Sequence, residues 1–428
     1  MPDSALPPRI SRLRVKNFRS IAEIDILLGP LTVLIGPNGS GKSNVVDALR
    51  FVRDVFTRGL DQAVMDREGM DVIRRWNPVG EAGGEVEIEV TVTVAEGETV
   101  YGFGLLRSES GNFSITTEYL RITHPEHPLF TAIHTGTTVE ADDGGDKLYH
   151  DRNLIAPDQL LRPVELFDTA AEVLSLTKTT TLTTTLLLDA DTVVYDVDNP
   201  EWGDRFEILE QLVAGINNSL FYGLNPADLR QPQRSLVETP MDEHGRNLAA
   251  VLRRLLRVNG PALEELRAVL RRAVAGFDDL AVETVGGYLA TKLLYTTASG
   301  EARASYLGQE SDGTIRMLGI LAALLQDPPQ AVVTIEEPEA NIHPGALGVL
   351  AELFVEASGR GQLLLTTHSP DLMTHLPAEC FLLVEKVDGE TRVGPLDAGQ
   401  AEIVRQHLFS AGELMRMQGL HRRDSAPS

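Results

Sequence analysis

Polar and hydrophobic positions change period several times along this chain, and each change marks an element. From Ile10 to Leu28 the two kinds of residue alternate around Asn17-Phe18-Arg19-Ser20, which predicts two strands joined by a turn. An apolar run, Leu31–Ile35, and then a helical pattern, Asn44–Val52, predict a strand followed by a helix. Glu85–Val94 alternates strictly, the signature of a half-buried strand with one solvated face. Tyr101–Arg107 and Phe113–Arg121 continue as expected antiparallel strands. The polar, Gly-punctuated stretch 57–84 carries no clear period, and 122–152 reads as loop with a tip at Asp142–Asp146.

Helical patterns dominate 155–230, which reads as an inserted lobe; its Thr-rich stretch at 177–185 has no assignment. Periodic helices at 247–275 are broken at Asn259-Gly260-Pro261, and strand patterns return at 280–307. From 311 to 385 helix and strand alternate, which predicts a parallel sheet covered on both sides. The expected division is an N-terminal half at 9–150, a mainly helical lobe at 151–235, a C-terminal half at 236–420 and a loose tail at 421–428. The Pro-rich residues 1–8 are expected to be disordered.

A formal net charge of −24 argues against a surface that coats nucleic acid nonspecifically, because phosphate repulsion would oppose it. The arginines at 253, 254 and 257 and at 271 and 272 sit in helical patterns and read as solvated faces. A single cysteine, Cys380, lies in an apolar run, so the chain can build no disulfide framework. With no apolar leader and no apolar stretch long enough to span a membrane, a soluble cytoplasmic protein is expected.

The chemistry begins at Gly36-Pro37-Asn38-Gly39-Ser40-Gly41-Lys42-Ser43, a complete P-loop between its strand and its helix. Backbone N–H groups and the positive helix end form an anion cradle there. Lys42 is placed to reach the β- and γ-phosphates of ATP, and the Ser43 hydroxyl to ligate Mg2+. A second apolar strand runs Val332–Ile335 straight into Glu336-Glu337-Pro338-Glu339. Glu336 is expected on the Mg2+ side, and Glu337 to polarise the attacking water. A third strand pattern, Leu363–Thr367, ends in His368, a group suited to hydrogen-bonding the γ-phosphate. Ser311 is a natural N-cap for the apolar helix beyond it, and the N–H groups that follow form a second anion site.

The set resembles the ATP-binding-cassette ATPases of the SMC/RecF/OLD group, and more closely their compact AAA-15/AAA-21 members. The matching pieces are Val15–Ser20, Gly36–Asn44, Asp242–Leu252, Ser311-Asp312-Gly313-Thr314, Glu336–Glu339 with His343-Pro344, and Thr367-His368-Ser369-Pro370. The resemblance implies an α/β fold: a P-loop NTPase of ABC/SMC-head type, with a mixed central sheet, an antiparallel β subdomain and an inserted helical lobe. It also implies a homodimer that sandwiches ATP, with Ser311 and Gly313 contacting the γ-phosphate in trans, and places Asn17, Arg19 and Asn44 at the nucleotide pocket.

Two positions depart from the wider pattern. The signature reads Ser-Asp-Gly-Thr where transporters carry Ser-Gly-Gly-Gln, and Glu336 stands where many cassette ATPases carry Asp. No glutamine is assigned to the Q-loop. OLD relatives carry a C-terminal Toprim nuclease domain, but only 60 residues follow His368 here. Asp189-Ala190-Asp191 reads as a turn, and no sustained heptads predict coiled-coil arms. The implied function is an ATP-driven switch that senses for, or regulates, a separate nuclease-like effector protein in prokaryotic defence or nucleic-acid maintenance. The alternative is a RecF-like repair ATPase that binds DNA.

Overall fold

The structure, a computed structural model, describes residues 8–423 except 76–83, 152–199, 235–239 and short gaps at 95–96, 109–112, 128, 136–137, 143–146, 259, 297–299, 327–329 and 418. The Thr-rich stretch, Asp189-Ala190-Asp191 and the last residues of the tail lie outside the described residues. The chain divides into two units: residues 1–28, 39–218 and 385–393 form one, and 29–38, 219–384 and 394–428 the other.

The first unit is built on antiparallel strands. Arg9–Phe18 pairs with Ile21–Leu27 on one side and Val86–Thr93 on the other. Glu98–Arg107 and Phe113–Thr123 extend the sheet. It then continues through Phe130–Thr135, Thr138–Asp142 and Lys147–Asp151, so much of the stretch expected as loop is sheet. The period there is hard to read because each strand is short, at five or six residues.

The expected alternation of Val86–Thr93 holds in its first half: Val86, Ile88 and Val90 are buried while Glu87 and Glu89 are not. Cross-strand ion pairs cover the outer face, Lys16 to Glu87 at 2.6 Å and Arg14 to Glu89 at 3.3 Å. Helices Lys42–Arg58 and Pro200–Asn217 pack on this unit and on each other. Phe51 of the first helix meets Phe18 and Phe103 at centroid distances of 5.9 and 6.1 Å.

The second unit contains a parallel sheet in the order Ser219–Tyr222, Val332–Glu336, Gln362–Thr367, Leu31–Ile35 and the start of Phe381–Val387. Every residue of Gln362–Thr367 is buried, as a strand covered on both faces requires. Ser219–Tyr222 falls within the stretch expected as a separate lobe, yet it pairs in register with Val332–Ile335. Helix Pro200–Asn217 lies in the first unit, so the described part of that stretch serves both units. Helices Leu248–Val258, Pro261–Ala273, Asp312–Leu325 and Leu347–Ala357 share one apolar cluster with these strands. A separate antiparallel sheet is formed by Gln233–Arg234, Phe277–Val285, Tyr288–Thr296 and Ala302–Tyr306. Among the described residues, no helix is long and apolar enough to cross a membrane.

Candidate functional site

Three neighbouring strands of the parallel sheet deliver the expected chemistry to one edge. Ile35 pairs with Thr367, and Thr366 with Glu336. Gly36-Pro37-Asn38, Glu337 and His368 therefore all leave from the carboxyl ends of adjacent strands, where open parallel sheets bind ligands.

The acidic strand end is tightly held. Glu337 has φ of 45°, a left-handed conformation uncommon for a residue with a Cβ. Its N–H donates to the Thr366 carbonyl at 3.0 Å, and its own carbonyl accepts the Ala340 N–H at 3.1 Å. Its carboxylate lies 3.1 Å from His368 Nδ1, with side-chain exposures of 43% and 44%. The two residues expected to do the catalytic work are thus in contact and reachable by solvent. Glu336 closes the strand. Glu339 is buried, and its carboxylate accepts the Thr367 hydroxyl.

Arg316 holds this bend from below and was not singled out by its sequence. It lies in the helix that follows Ser311, and its side chain is buried. Nη2 donates to the carbonyls of Glu337 (2.6 Å) and Glu336 (3.1 Å), and Nη1 to that of Leu224. Burial pulls the guanidinium pKa below its usual value, against the opposing pull of the Glu339 and Glu337 carboxylates. Nothing in the local pattern separates this arginine from a surface one. Its partners are backbone atoms brought near only by folding.

Ser311 caps the helix Asp312–Leu325, as expected: its Oγ accepts the Thr314 N–H at 3.2 Å. Ser311 and Asp312 are exposed, so the helix N-terminus is open to a ligand. Gly313 is required by close approach, because a Cβ there would lie 2.4 Å from the Asn341 carbonyl oxygen. Asp312 accepts from Asn341 Nδ2 at 3.3 Å and pairs with Arg230. His343 is a local cap, its Nδ1 accepting the Gly345 N–H at 3.0 Å.

The rest of the P-loop, from Gly39 onward, belongs to the antiparallel unit. Gly39 and Gly41 have φ of 77° and 108°. A Cβ on Gly41 would fall 2.0 Å from Thr391 Oγ1. That threonine hydroxyl donates to the Ser40 carbonyl at 2.9 Å and meets Ser20 Oγ at 2.6 Å, and Ser20 Oγ accepts from Asn44 Nδ2. A line of small polar groups therefore fixes the loop backbone from behind. Lys42 opens the helix and is buried, and Ser43 is exposed beside it. The geometry fits a polyphosphate, with a helix N-terminus free of carboxylates in its first turn and a glycine at position 41, where a side chain would strike Thr391.

Two residues expected at the pocket have other ties. Asn17 Nδ2 donates to the Glu85 carbonyl at 2.9 Å, and Arg19 Nε donates to Asp47 at 2.7 Å. Arg67 also pairs with Asp47, at 3.0 Å, so Arg19 belongs to an ion-pair group on the P-loop helix. Thr391 was missed because it lies at the far end of the chain and no motif surrounds it.

Residues 205–374 match the family described as "AAA domain, putative AbiEii toxin, Type IV TA system". Residues 9–120 match the RecF/RecN/SMC N-terminal domain. The chain is similar to an OLD nuclease of Thermus scotoductus, 51% identical over 43 residues that cover 10% of this chain and 8% of the relative. It is also similar to the DNA replication and repair protein RecF of Corynebacterium jeikeium, 37% identical over 65 residues, 15% of each chain. These matches thus span under a fifth of each relative's length. Among solved structures, an Smc head bound to the C-terminal winged-helix domain of ScpA superposes with a TM-score of 0.50 at 14% identity, covering 92% of this chain and 99% of that one. At that identity the likeness is one of fold.

Proposed function

We propose that this chain, an SMC/RecF/OLD-like P-loop ATPase, binds and hydrolyses ATP and uses the nucleotide to close a homodimer. The observation that carries the reading is the Glu337–His368 contact at the carboxyl edge of the sheet, beside the strand that enters the P-loop. Lys42 and the loop N–H groups of Gly36–Ser43 bind the phosphates. Ser43 and Glu336 would hold Mg2+, which would neutralise charge on the phosphate oxygens. Glu337 takes the proton of the attacking water as its oxygen bonds to the γ-phosphorus, the bridging P–O bond breaks, and ADP leaves with the electron pair. His368 holds a γ-phosphate oxygen and keeps Glu337 in place. Ser311 and Gly313 offer the open helix N-terminus to the nucleotide of a second copy. ATP then favours the closed dimer through its extra contacts there.

The biological role that fits is a cytoplasmic sensor or regulator working with a separate effector, nuclease-like in chemistry, in prokaryotic defence. The support is the toxin–antitoxin description of the family matched at 205–374. A DNA-binding repair role is the second reading, supported by the match at 9–120 and by the RecF segment.

The test is steady-state ATP hydrolysis with and without duplex DNA, beside Glu337→Gln. That variant is expected to lose at least about a hundredfold in turnover, to keep ATP binding, and to accumulate as a dimer in light scattering. A monomer with ATP bound would end the dimer-switch reading. Stimulation of the wild type by DNA would move the role to repair.

A further inference from the structure

We propose that His124, His127 and Asp204 form a binding site for a divalent transition-metal ion of the zinc class, independent of the nucleotide site. The two histidines stand on the turn between strands Phe113–Thr123 and Phe130–Thr135, and Asp204 on helix Pro200–Asn217. All three residues are half-buried, and a ligating atom of each lies within 4.8 Å of the other two. His127 Nε2 is 2.8 Å from Asp204 Oδ2, and the two imidazoles stack at 4.4 Å with 20° between their planes.

A cavity of about 330 Å3 opens at the cluster, lined also by Glu126 and Glu207. Glu207, one helical turn from Asp204, lines the same cavity and adds negative charge beside the cluster. Two imidazoles with carboxylates are a donor set for zinc, cobalt or nickel rather than for magnesium or calcium, which take oxygen ligands. His124 Nδ1 accepts the Glu126 N–H at 3.1 Å. Ligation through His124 Nδ1 would therefore displace that contact.

The site joins a turn to a helix far along the chain, and that helix packs against the P-loop helix. A bound ion would tie them together, as a ligand that favours the folded state.

The experiment uses the full chain, stripped with chelator and free of nucleotide, titrated with Zn2+ by calorimetry and with Co2+ by visible absorption. One equivalent is expected to bind, with proton release, to raise the melting temperature by about 4 °C, and to weaken at least about tenfold in both His127→Gln and Asp204→Asn. His368→Ala should keep it, which separates this site from the Glu337–His368 pair. Absence of a stoichiometric equivalent, or wild-type affinity in both cluster variants, overturns the proposal. Circular-dichroism melts of the metal-free variants show whether each still folds. Because none of the three cluster residues takes part in the ATPase reading, the two readings fail separately.

Discussion

The phosphate loop and the acidic strand end are held in opposite ways. The loop from Gly39 to Asn44 is fixed by absence and by neutral hydroxyls: no side chain at Gly41, and the short polar line of Thr391, Ser20 and Asn44. The bend at Glu336-Glu337 is fixed by a buried cation, Arg316, which grips backbone carbonyls. Neutral groups leave the loop's N–H dipoles unopposed for an anion. A buried charge gives a firmer hold on a strained bend, but only while every carbonyl it serves stays in place. One device suits binding a polyphosphate. The other suits keeping a carboxylate at a set position beside His368.

Four substitutions break or sharpen this contrast, in order of expected effect. Lys42→Ala removes the cation the loop itself supplies. ATP affinity, measured by calorimetry, should fall at least about a hundredfold with little change in melting temperature. Arg316→Met keeps the bulk but removes the donor shared by the Glu336, Glu337 and Leu224 carbonyls. A loss of about 3 kcal/mol in denaturant unfolding is expected, with turnover reduced more than ATP affinity; an equal loss of both would mean Arg316 is merely structural. Gly313→Ala forces a Cβ onto the Asn341 carbonyl, at a cost of about 2 kcal/mol. The distortion should reach turnover through the Glu337–Asn341 turn while monomer ATP binding persists. Thr391→Val keeps the shape behind Gly41 and deletes its hydroxyl bonds, for about 1 kcal/mol. Its signature is a few-fold higher KM for ATP with kcat held.

Legibility in the sequence followed the distance between partners. The P-loop could be read whole because its strand, turn and helix are contiguous and each carries its own period. The N-cap role of Ser311 could be read because its partner is three residues on. Short strands at 130–151 could not, since five or six residues carry little period and the pairing that makes them sheet lies across turns. Nor could the strand Ser219–Tyr222, whose partner lies more than a hundred residues away. The side-chain ties of Asn17 and Arg19 were equally hidden. Resemblance pointed both residues at the nucleotide, while their observed contacts are with the Glu85 backbone and Asp47.

By itself the sequence determined the α/β class, the order of the motifs, and which residue types could serve phosphate, metal and water. Those properties rest on local period and on chemistry that each side chain carries wherever it sits. Tertiary structure alone decided that Glu337 touches His368, that Arg316 grips the bend beneath them, and that Thr391 closes the space behind Gly41. Contacts between residues far apart in the chain depend on sheet register and close packing. Neither is encoded in any one segment.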